Sequence, residues 1–147
     1  MKKILLFAII FQFIFLLTPG AQENNIDKKK WHWGKEQDTT AGYAQAVKVD
    51  NVLYISGTVS RSVTPEGITG VYKGLEKILA AYGATFQNVV KENLYTTDME
   101  AMKKYNEARK VFYKGDFPAA TWMQVSRMFM ADASLEVELV AHLPKNK

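Results

Sequence analysis

The sequence of 147 residues contains no cysteine, two histidines and four prolines. Without cysteine the chain forms no disulfide, no iron–sulfur cluster and no thiolate zinc site, and it has no thiol nucleophile. His32 and His142 lack metal-ligand spacing, so each is predicted to be a surface residue. Phosphate-binding loops, dinucleotide fingerprints and the G-x-S-x-G and H-E-x-x-H motifs are also missing. These absences disfavour triad and zinc hydrolases and nucleotide-dependent enzymes, and we predict no metal and no cofactor.

The first twenty residues differ in composition from the rest. Two lysines precede an apolar run from Ile4 to Leu17 that only Gln12 interrupts, and small residues follow. This order predicts a secretory signal peptide over residues 1–20, with an uncleaved anchor helix as the alternative. The run is short for a membrane span, which needs about 20 residues. We therefore expect a protein exported to the bacterial periplasm or secreted, with no stable membrane association after the signal is removed.

The net charge then points away from an anionic polymer as partner. The formal charge is +4, but two lysines belong to the predicted signal, which leaves +2. A nearly neutral domain lacks the basic footprint of a nucleic-acid-binding protein, so we predict no nucleic-acid partner. Residues 21–41 are polar and irregular and are predicted to form a flexible N-terminal arm. Trp31 and Trp33 within it either dock on the domain surface or serve as a lid or partner contact.

The domain proper is predicted over residues 42–147. Its hydrophobic periodicity gives the order ββαβαββ, which is typical of an α+β domain with two helices packed on one face of a sheet. Asp50–Asn51 suits a two-residue hairpin turn, and Thr97 with Glu100 suits a capping box at the start of the second helix. The predicted elements are strands Ala44–Val49 and Val52–Gly57, a loop over residues 58–67, a helix spanning Ile68 to Tyr82, strand Val89–Tyr95, a helix ending at Gly115, and strands Ala119–Met128 and Ser134–His142.

Two carboxylates in the last strand are the strongest chemical signal from the residues alone. Glu136 and Glu138 share one face of this strand, opposite its apolar face. They are either solvated charges or a functional pair in which one carboxyl is partly buried, has a raised pKa and faces a water molecule.

The chain also carries a series of short motifs in a fixed order. They are Gly42–Val47 (GYAQAV), Leu53–Gly57 (LYISG), Asn88–Lys91 (NVVK), Tyr95–Met99 (YTTDM), Asn106, Phe117–Ala119 (FPA) and Leu135–Glu138 (LEVE). In order and spacing this set resembles the Rid (reactive intermediate deaminase) family, also called YjgF or L-PSP endoribonuclease-like, over residues 42–143.

The resemblance implies a chorismate-mutase-like fold assembled as a homotrimer, with small-molecule pockets at the subunit interfaces. Active members hydrolyse enamines and imines to ketoacids and ammonia without a cofactor. Carried over by motif, Glu136 positions the water and acts with Ser56. Tyr43, Asn106 and backbone groups near Gly57 hold the ligand.

One family residue does not carry over. Ala120 stands where the family has the arginine that grips the substrate carboxylate, and alanine offers no substitute for that bidentate contact. Arg61 is the candidate substitute clamp, whereas Arg127 is expected on the opposite face of the strand from Ala120. Trp122 is expected on the face of Ala120, where it partly fills the pocket, offers a stacking surface or packs at an interface.

The sequence therefore leaves two functions open. The first is an exported enzyme that resembles 2-iminobutanoate/2-iminopropanoate deaminases but has altered or lost deaminase activity. The alternative is a non-enzymatic trimeric protein that binds small metabolites. A ribonuclease or translation inhibitor is disfavoured by the predicted export and the near-neutral charge.

Overall fold

The structure, a computed structural model, describes residues 26–34 and 36–144, so the predicted signal at residues 1–20 lies outside it. The described chain forms a six-stranded sheet with helices on one face, which confirms the predicted α+β class. No helix among these residues has the length and apolar character to cross a membrane. The elements are β1 (Lys28–Trp31), β2 (Ala46–Val49), β3 (Val52–Ser60), α1 (Pro65–Ala81), β4 (Val89–Thr96), α2 (Met99–Lys104), α3 (Glu107–Tyr113), β5 (Ala119–Gln124) and β6 (Leu135–His142).

The sheet has the strand order β1-β2-β3-β6-β4-β5. Neighbouring strands in the described chain are antiparallel except β4 and β5, which are parallel. The helix-covered face carries the apolar core, which includes Leu53 and Ile55 of β3 and Leu139 of β6. The other face is open and carries both polar and apolar side chains. Sheets of mostly antiparallel strands can leave one face to solvent or to another subunit.

The chain reverses between β2 and β3 through the predicted two-residue turn. Val49 pairs with Val52, which leaves Asp50 and Asn51 at the tip. Asp50 has a φ of 50°, a left-handed conformation that aspartate tolerates better than most residues. The turn fixes the register of the hairpin whose second strand carries part of the predicted site.

Helix α1 begins before the apolar pattern does. Thr64 caps it: its Oγ1 accepts a hydrogen bond from the backbone N–H of Gly67 at 3.2 Å. Pro65 occupies the first turn, where its missing N–H has no helical partner to lose. The chain leaves the helix through Gly83, whose φ of 67° favours glycine.

Two strands differ in length from their predictions. β3 continues to Ser60, so the predicted loop over residues 58–67 is reduced to residues 61–64. β5 stops at Gln124 instead of Met128, since its pairing with β4 ends at Thr96, the last residue of β4, whose carbonyl accepts one further hydrogen bond from the Val125 N–H at 2.9 Å.

The second predicted helix is two helices, separated by a turn at Tyr105–Asn106. The predicted capping box of Thr97 and Glu100 is wrong. Asp98 caps the helix instead, and its carboxylate accepts a hydrogen bond from the Ala101 N–H at 2.9 Å. The backbone N–H of Thr97 donates to the Ser134 carbonyl in the loop before β6 at 3.0 Å, and it is Asp98 that has the extended backbone of a cap residue.

The N-terminal arm contains more regular structure than its sequence predicts. Residues 28–31 form β1 at the edge of the sheet, where an irregular segment was expected. Three consecutive lysines hide the alternation that marks a strand, although lysine is common on edge strands because it discourages pairing with other chains. Trp31 packs against the core, and its ring lies 4.6 Å from that of Trp33, centroid to centroid.

Candidate active site

Four of the predicted site residues meet at one cavity. They are Tyr43, Ser56, Gly57 and Glu136, and the cavity has a volume of about 360 Å³. The rest of the wall is apolar and consists of Ala41, Val59, Phe129 and Met130. Phe129, in the segment between β5 and β6, is 97% exposed and leaves an uncovered apolar surface at the rim. The cavity thus joins a carboxylate and hydroxyl groups to a largely apolar wall.

A local irregularity in β3 places Ser56 and Gly57. The pairing of β3 with β6 shifts register beside them, as at a β-bulge. The buried Gln45 stabilises this irregularity through two hydrogen bonds to Ser56, both at 2.9 Å. The Gln45 side-chain amide donates to the Ser56 carbonyl, and the Gln45 backbone carbonyl accepts from the Ser56 N–H. The Ser56 hydroxyl donates to the carbonyl of Ala44 at 2.8 Å. Because that proton is already used, Ser56 can offer only oxygen lone pairs to a ligand.

Gly57 is the residue against which the Glu136 side chain packs. A Cβ atom at position 57 would lie 1.9 Å from Glu136 Oε1 and 2.6 Å from its Cδ. Any side chain at this position therefore displaces the carboxylate. The glycine is required here for close approach, so it sets where the Glu136 carboxylate sits.

The Glu136 carboxylate is half-buried and accepts no hydrogen bond from the described residues. Burial, and then the negative charge of Glu138, raise the pKa of Glu136 above its usual value. Glu138 differs, since its Oε1 accepts hydrogen bonds from Asn93 Nδ2 at 2.7 Å and from the Tyr95 hydroxyl at 3.2 Å. The two carboxylates thus have different environments. Across residues 26–34 and 36–144, no three histidine or acidic side chains converge as a metal site.

A second, more open cavity adjoins the first at Glu136. Its volume is about 290 Å³, and Tyr95, Arg127 and Glu138 contribute to its wall. β5 ends before Arg127, so the irregular segment that follows brings this side chain to the open face of the sheet. One guanidinium here faces two carboxylates, which leaves the surroundings of Glu136 with an excess of negative charge.

The other predicted residues lie elsewhere in the protomer. Ala120 and Trp122 are on the edge strand β5, on the side that faces the helices. Asn106 precedes α3, and its Oδ1 is buried with no hydrogen-bond partner among the described residues. Arg61 forms an exposed ion pair with Asp132 and does not line the cavity described above. Within one protomer the predicted site is therefore incomplete at the cavity, because these four residues lie away from it.

A buried cluster that the sequence reasoning missed lies behind β5. Glu92 of β4 is fully buried and accepts hydrogen bonds from the hydroxyls of Tyr72 and Tyr113, each at 2.7 Å. Arg109 of α3 binds the same carboxylate through Nη2 at 2.8 Å and Nε at 2.9 Å, and the Trp122 indole donates to it at 3.1 Å. Burial and the Glu92 charge raise the pKa values of both tyrosines, which remain protonated donors. We call these five residues the Glu92 cluster.

The Glu92 cluster gives Trp122 and Arg109 structural partners. The Arg109 guanidinium is 4.8 Å from the Tyr113 ring centroid and 5.1 Å from that of Trp122, and the residue is 5% exposed. A signal for this cluster was present in the sequence. Alternation puts Glu92 on the same face of β4 as Leu94, and an acid at a core position of a strand needs a buried partner.

The chain matches known proteins in sequence and in fold. A family model described as "Endoribonuclease L-PSP" matches residues 34–143. The 2-iminobutanoate/2-iminopropanoate deaminase of Mus musculus is 35% identical over 108 residues, covering 67% of this chain and 79% of that protein. The protein of the same name from Homo sapiens is 35% identical over 109 residues, covering 67% and 78%.

The structural comparison shows a shared fold. A crystal structure of a member of the YjgF/YER057c/UK114 family from Mycobacterium tuberculosis aligns with a TM-score of 0.72 at 20% sequence identity, covering 80% of this chain and 100% of that chain. The crystal structure of yeast Mmf1 aligns with a TM-score of 0.67 at 23% identity, covering 81% and 97%.

Proposed function

Because the chain belongs to the endoribonuclease L-PSP family, also called the Rid or YjgF family, we propose that it hydrolyses a carbon–nitrogen double bond in a small molecule at the Glu136 cavity. Relatives of this chain carry the name 2-iminobutanoate/2-iminopropanoate deaminase. The reaction adds water to an imine and releases a carbonyl compound and ammonia. It needs a base beside the water and groups that orient the imine, and no cofactor takes part.

The observation that carries this proposal is the position of the Glu136 carboxylate. It packs on Gly57, has no hydrogen-bond partner among the described residues and opens on the cavity. Its raised pKa makes it a stronger base than an ordinary carboxylate. In the proposed reaction it takes a proton from water as the water oxygen attacks the carbon of the protonated imine, and it returns this proton to the nitrogen of the resulting carbinolamine. The carbon–nitrogen bond then breaks as the hydroxyl proton of the carbinolamine is lost, which gives the carbonyl compound and ammonium, while Ser56 and Tyr43 orient the substrate.

The absence of an arginine at position 120 alters the proposed activity. A carboxylate clamp contributes to catalysis by holding the substrate in a reactive geometry. Ala120 has no group that does so. We therefore propose an activity toward imino acids that is altered or lost relative to the named deaminases.

We further propose that the site is completed at the interfaces of a homotrimer. The predicted residues fall into two groups, with Glu136 in the middle of the sheet and Ala120 on its edge strand. A second copy that places β5 against the cavity would join them.

Export to the bacterial periplasm or secretion is proposed from the composition of residues 1–20. The length of the mature protein tests it directly. Expression of the full chain in a bacterial host, followed by cell fractionation and intact mass measurement, should give an exported product that lacks this segment. A cytosolic product of full length contradicts the proposal.

Competition with an imine trap tests the hydrolytic function. A flavin oxidase generates the imine, and semicarbazide captures whatever is not hydrolysed, so an active hydrolase lowers the semicarbazone yield. We expect Glu136→Gln to lower the enzyme-dependent rate by about 100-fold or more, since general bases contribute this much. Glu76→Gln changes an exposed carboxyl of α1 in the same way and should keep the full rate. A wild-type rate equal to the spontaneous rate contradicts the proposal.

The pH profile provides an independent signature. The base must be ionised, so the rate should fall as the pH decreases through the raised pKa of Glu136. Glu138→Gln removes the neighbouring negative charge that contributes to this shift, so it should move the acid limb to lower pH. An acid limb that stays in place contradicts the assignment of this limb to Glu136.

A non-enzymatic, trimeric small-metabolite-binding protein is the second candidate, and Ala120 favours it. Restoring the side chain discriminates between the two. If the rest of the site is competent, Ala120→Arg gains hydrolysis of 2-iminobutanoate. If the cavity only binds metabolites, the variant binds carboxylates more tightly and gains no hydrolysis.

A further inference from the structure

We infer, resting on the proposed imine hydrolysis, that the Glu136 cavity takes an iminium or ammonium cation with an apolar substituent and without a carboxylate. Of the three polar side chains that line the cavity, Ser56 and Glu136 are available only as acceptors, and the Tyr43 hydroxyl can donate or accept. The Ser56 hydroxyl already donates a hydrogen bond to the Ala44 carbonyl, and the Glu136 carboxylate has no hydrogen-bond partner among the described residues. A nitrogen that carries protons can donate to both of them, whereas an anionic oxygen can donate to neither.

The arginines of the chain give the second line of support. It has three, and each is accounted for in the described structure. Arg61 pairs with Asp132 at the surface, and Arg109 is buried against Glu92. Arg127 makes no ion pair with the described residues and lines only the adjoining cavity, whose wall it shares with Glu136 and Glu138. None of the three arginines lines the Glu136 cavity itself, so an anionic ligand in that cavity would lie beside the Glu136 carboxylate without a guanidinium partner.

The β5 side chains assigned to the site by resemblance add no positive charge. Ala120 and Trp122 are uncharged, and the nearby Arg109 is committed to the Glu92 cluster. Lys91 is a cation on the open face, but it donates to the Thr121 hydroxyl at 2.7 Å and does not line the Glu136 cavity. The apolar part of the ligand has its own partners, since Val59, Phe129 and Met130 line the opposite part of the wall.

The corresponding reaction balances without a co-reactant. Water attacks the carbon of a protonated imine, the carbon–oxygen bond forms and the carbon–nitrogen bond breaks. The products are an aldehyde or ketone and ammonium, so charge and atoms are conserved and no oxidation occurs. The reaction that supplies such a substrate is the oxidation of a primary amine, as opposed to that of an amino acid.

A matched pair of imines tests the inference. A flavin amine oxidase converts 2-phenylethylamine to 2-phenylethanimine, and an L-amino-acid oxidase converts phenylalanine to 2-imino-3-phenylpropanoate. The two imines differ by the carboxylate alone. In the semicarbazide competition, we expect the wild-type protein to accelerate hydrolysis of the first at least about tenfold more than that of the second, since like-charge contacts are strongly unfavourable. Equal acceleration, or preference for the imino acid, overturns the inference and leaves the proposed hydrolysis standing.

Calorimetric binding separates ligand class from catalysis. The probes are 2-phenylethylamine and 3-phenylpropanoate, which have the same apolar part and opposite charge. We expect at least about tenfold tighter binding of the amine, lost in Glu136→Gln and kept in Glu76→Gln. If the amine binds in this way but neither imine is hydrolysed, the ligand class holds and the hydrolytic function is wrong. If the anion binds as tightly as the amine, or neither probe binds and neither imine is hydrolysed, the inference is wrong.

Discussion

At the scale of single residues, the contact between Gly57 and Glu136 decides the geometry of the site. Gly57 does not have a positive φ, so its backbone conformation does not require glycine. A Cβ atom at this position, however, would overlap the Glu136 carboxyl. Gly57 and Glu136 lie on neighbouring strands and are almost eighty positions apart in the chain. They therefore form one packing unit that local sequence patterns do not reveal.

A double-mutant cycle tests this unit. Gly57→Ala should lower the free energy of unfolding by about 1–3 kcal/mol, the usual cost of overpacking. In a Glu136→Ala background the overlap is gone, so the same substitution should cost less than about 0.5 kcal/mol. Urea unfolding of the four proteins measures the coupling. Equal costs in both backgrounds would show that the contact does not constrain the carboxylate.

The residues of this site can be predicted from the sequence, but their hydrogen bonds cannot. Strand alternation alone puts Glu136 and Glu138 on one face, and both line the same open-face cavity. Motif resemblance identifies Ser56 as a candidate. It cannot show that the Ser56 hydroxyl is already donated to Ala44, because that bond depends on the bulge in β3. The donor and acceptor properties of a site are set by tertiary contacts.

At the scale of elements, the Glu92 cluster joins β4, β5, α1 and α3. β4 supplies the Glu92 carboxylate, and the other three elements supply the side chains that bind it: Tyr72 from α1, Arg109 and Tyr113 from α3, and Trp122 from β5. A buried ion pair adds little net stability when it is complete, but removal of one charge leaves the other uncompensated. The cluster therefore fixes how the helices sit against the sheet.

Removal of this charge should be costly, whereas removal of an exposed charge should not. Glu92→Gln should lower the free energy of unfolding by about 3–5 kcal/mol, because Arg109 stays buried without its counter-ion. Glu100→Gln is the matched control, since Glu100 is 83% exposed and pairs with Lys103 at 2.8 Å. It should cost less than about 1 kcal/mol. Chemical unfolding at equal protein concentrations measures both free-energy changes. Similar changes for the two variants would contradict the conclusion that the buried Glu92 charge is needed to compensate Arg109.

The elements that the sequence predicts well are those with strong local signals. The apolar stripe of α1 and the turn at Asp50–Asn51 follow from local residue types. β1 carries no such signal, because its lysines face solvent at the sheet edge and only its pairing with β2 makes it a strand. The predicted cap is one position away from the observed Asp98, because Thr97 and Glu100 have the spacing of a capping box and threonine is also a common cap residue.

At the scale of the whole molecule, the helices cover one face of the sheet and leave the other open. Tyr54 and Met123 are 50% and 46% exposed on strands of this sheet. The open face carries both carboxylates and apolar side chains, and such a mixed surface is typical of interfaces between subunits. The proposed homotrimer would use this open face, with separate subunits supplying Glu136 and Asn106 to one site.

Mixing two defective variants tests whether subunits share the site. Glu136→Gln removes the proposed base, and Asn106→Ala removes a side chain that makes no cap hydrogen bond to α3 and so should leave the helix intact. Each variant alone should be strongly impaired in imine hydrolysis. In trimers refolded from an equal mixture, one interface in four combines an intact Glu136 with an intact Asn106 from the neighbour. The mixture should therefore recover about a quarter of the wild-type rate.

The size of the recovered rate distinguishes shared sites from sites within one protomer. If each protomer used its own Glu136 and Asn106, every site in the mixture would have one defect and no activity would return. Light scattering on the same samples gives the mass of the assembly, and a monomer would exclude shared sites. Recovery near a quarter, from a species of three chains, requires that the base and the amide of one site come from different subunits.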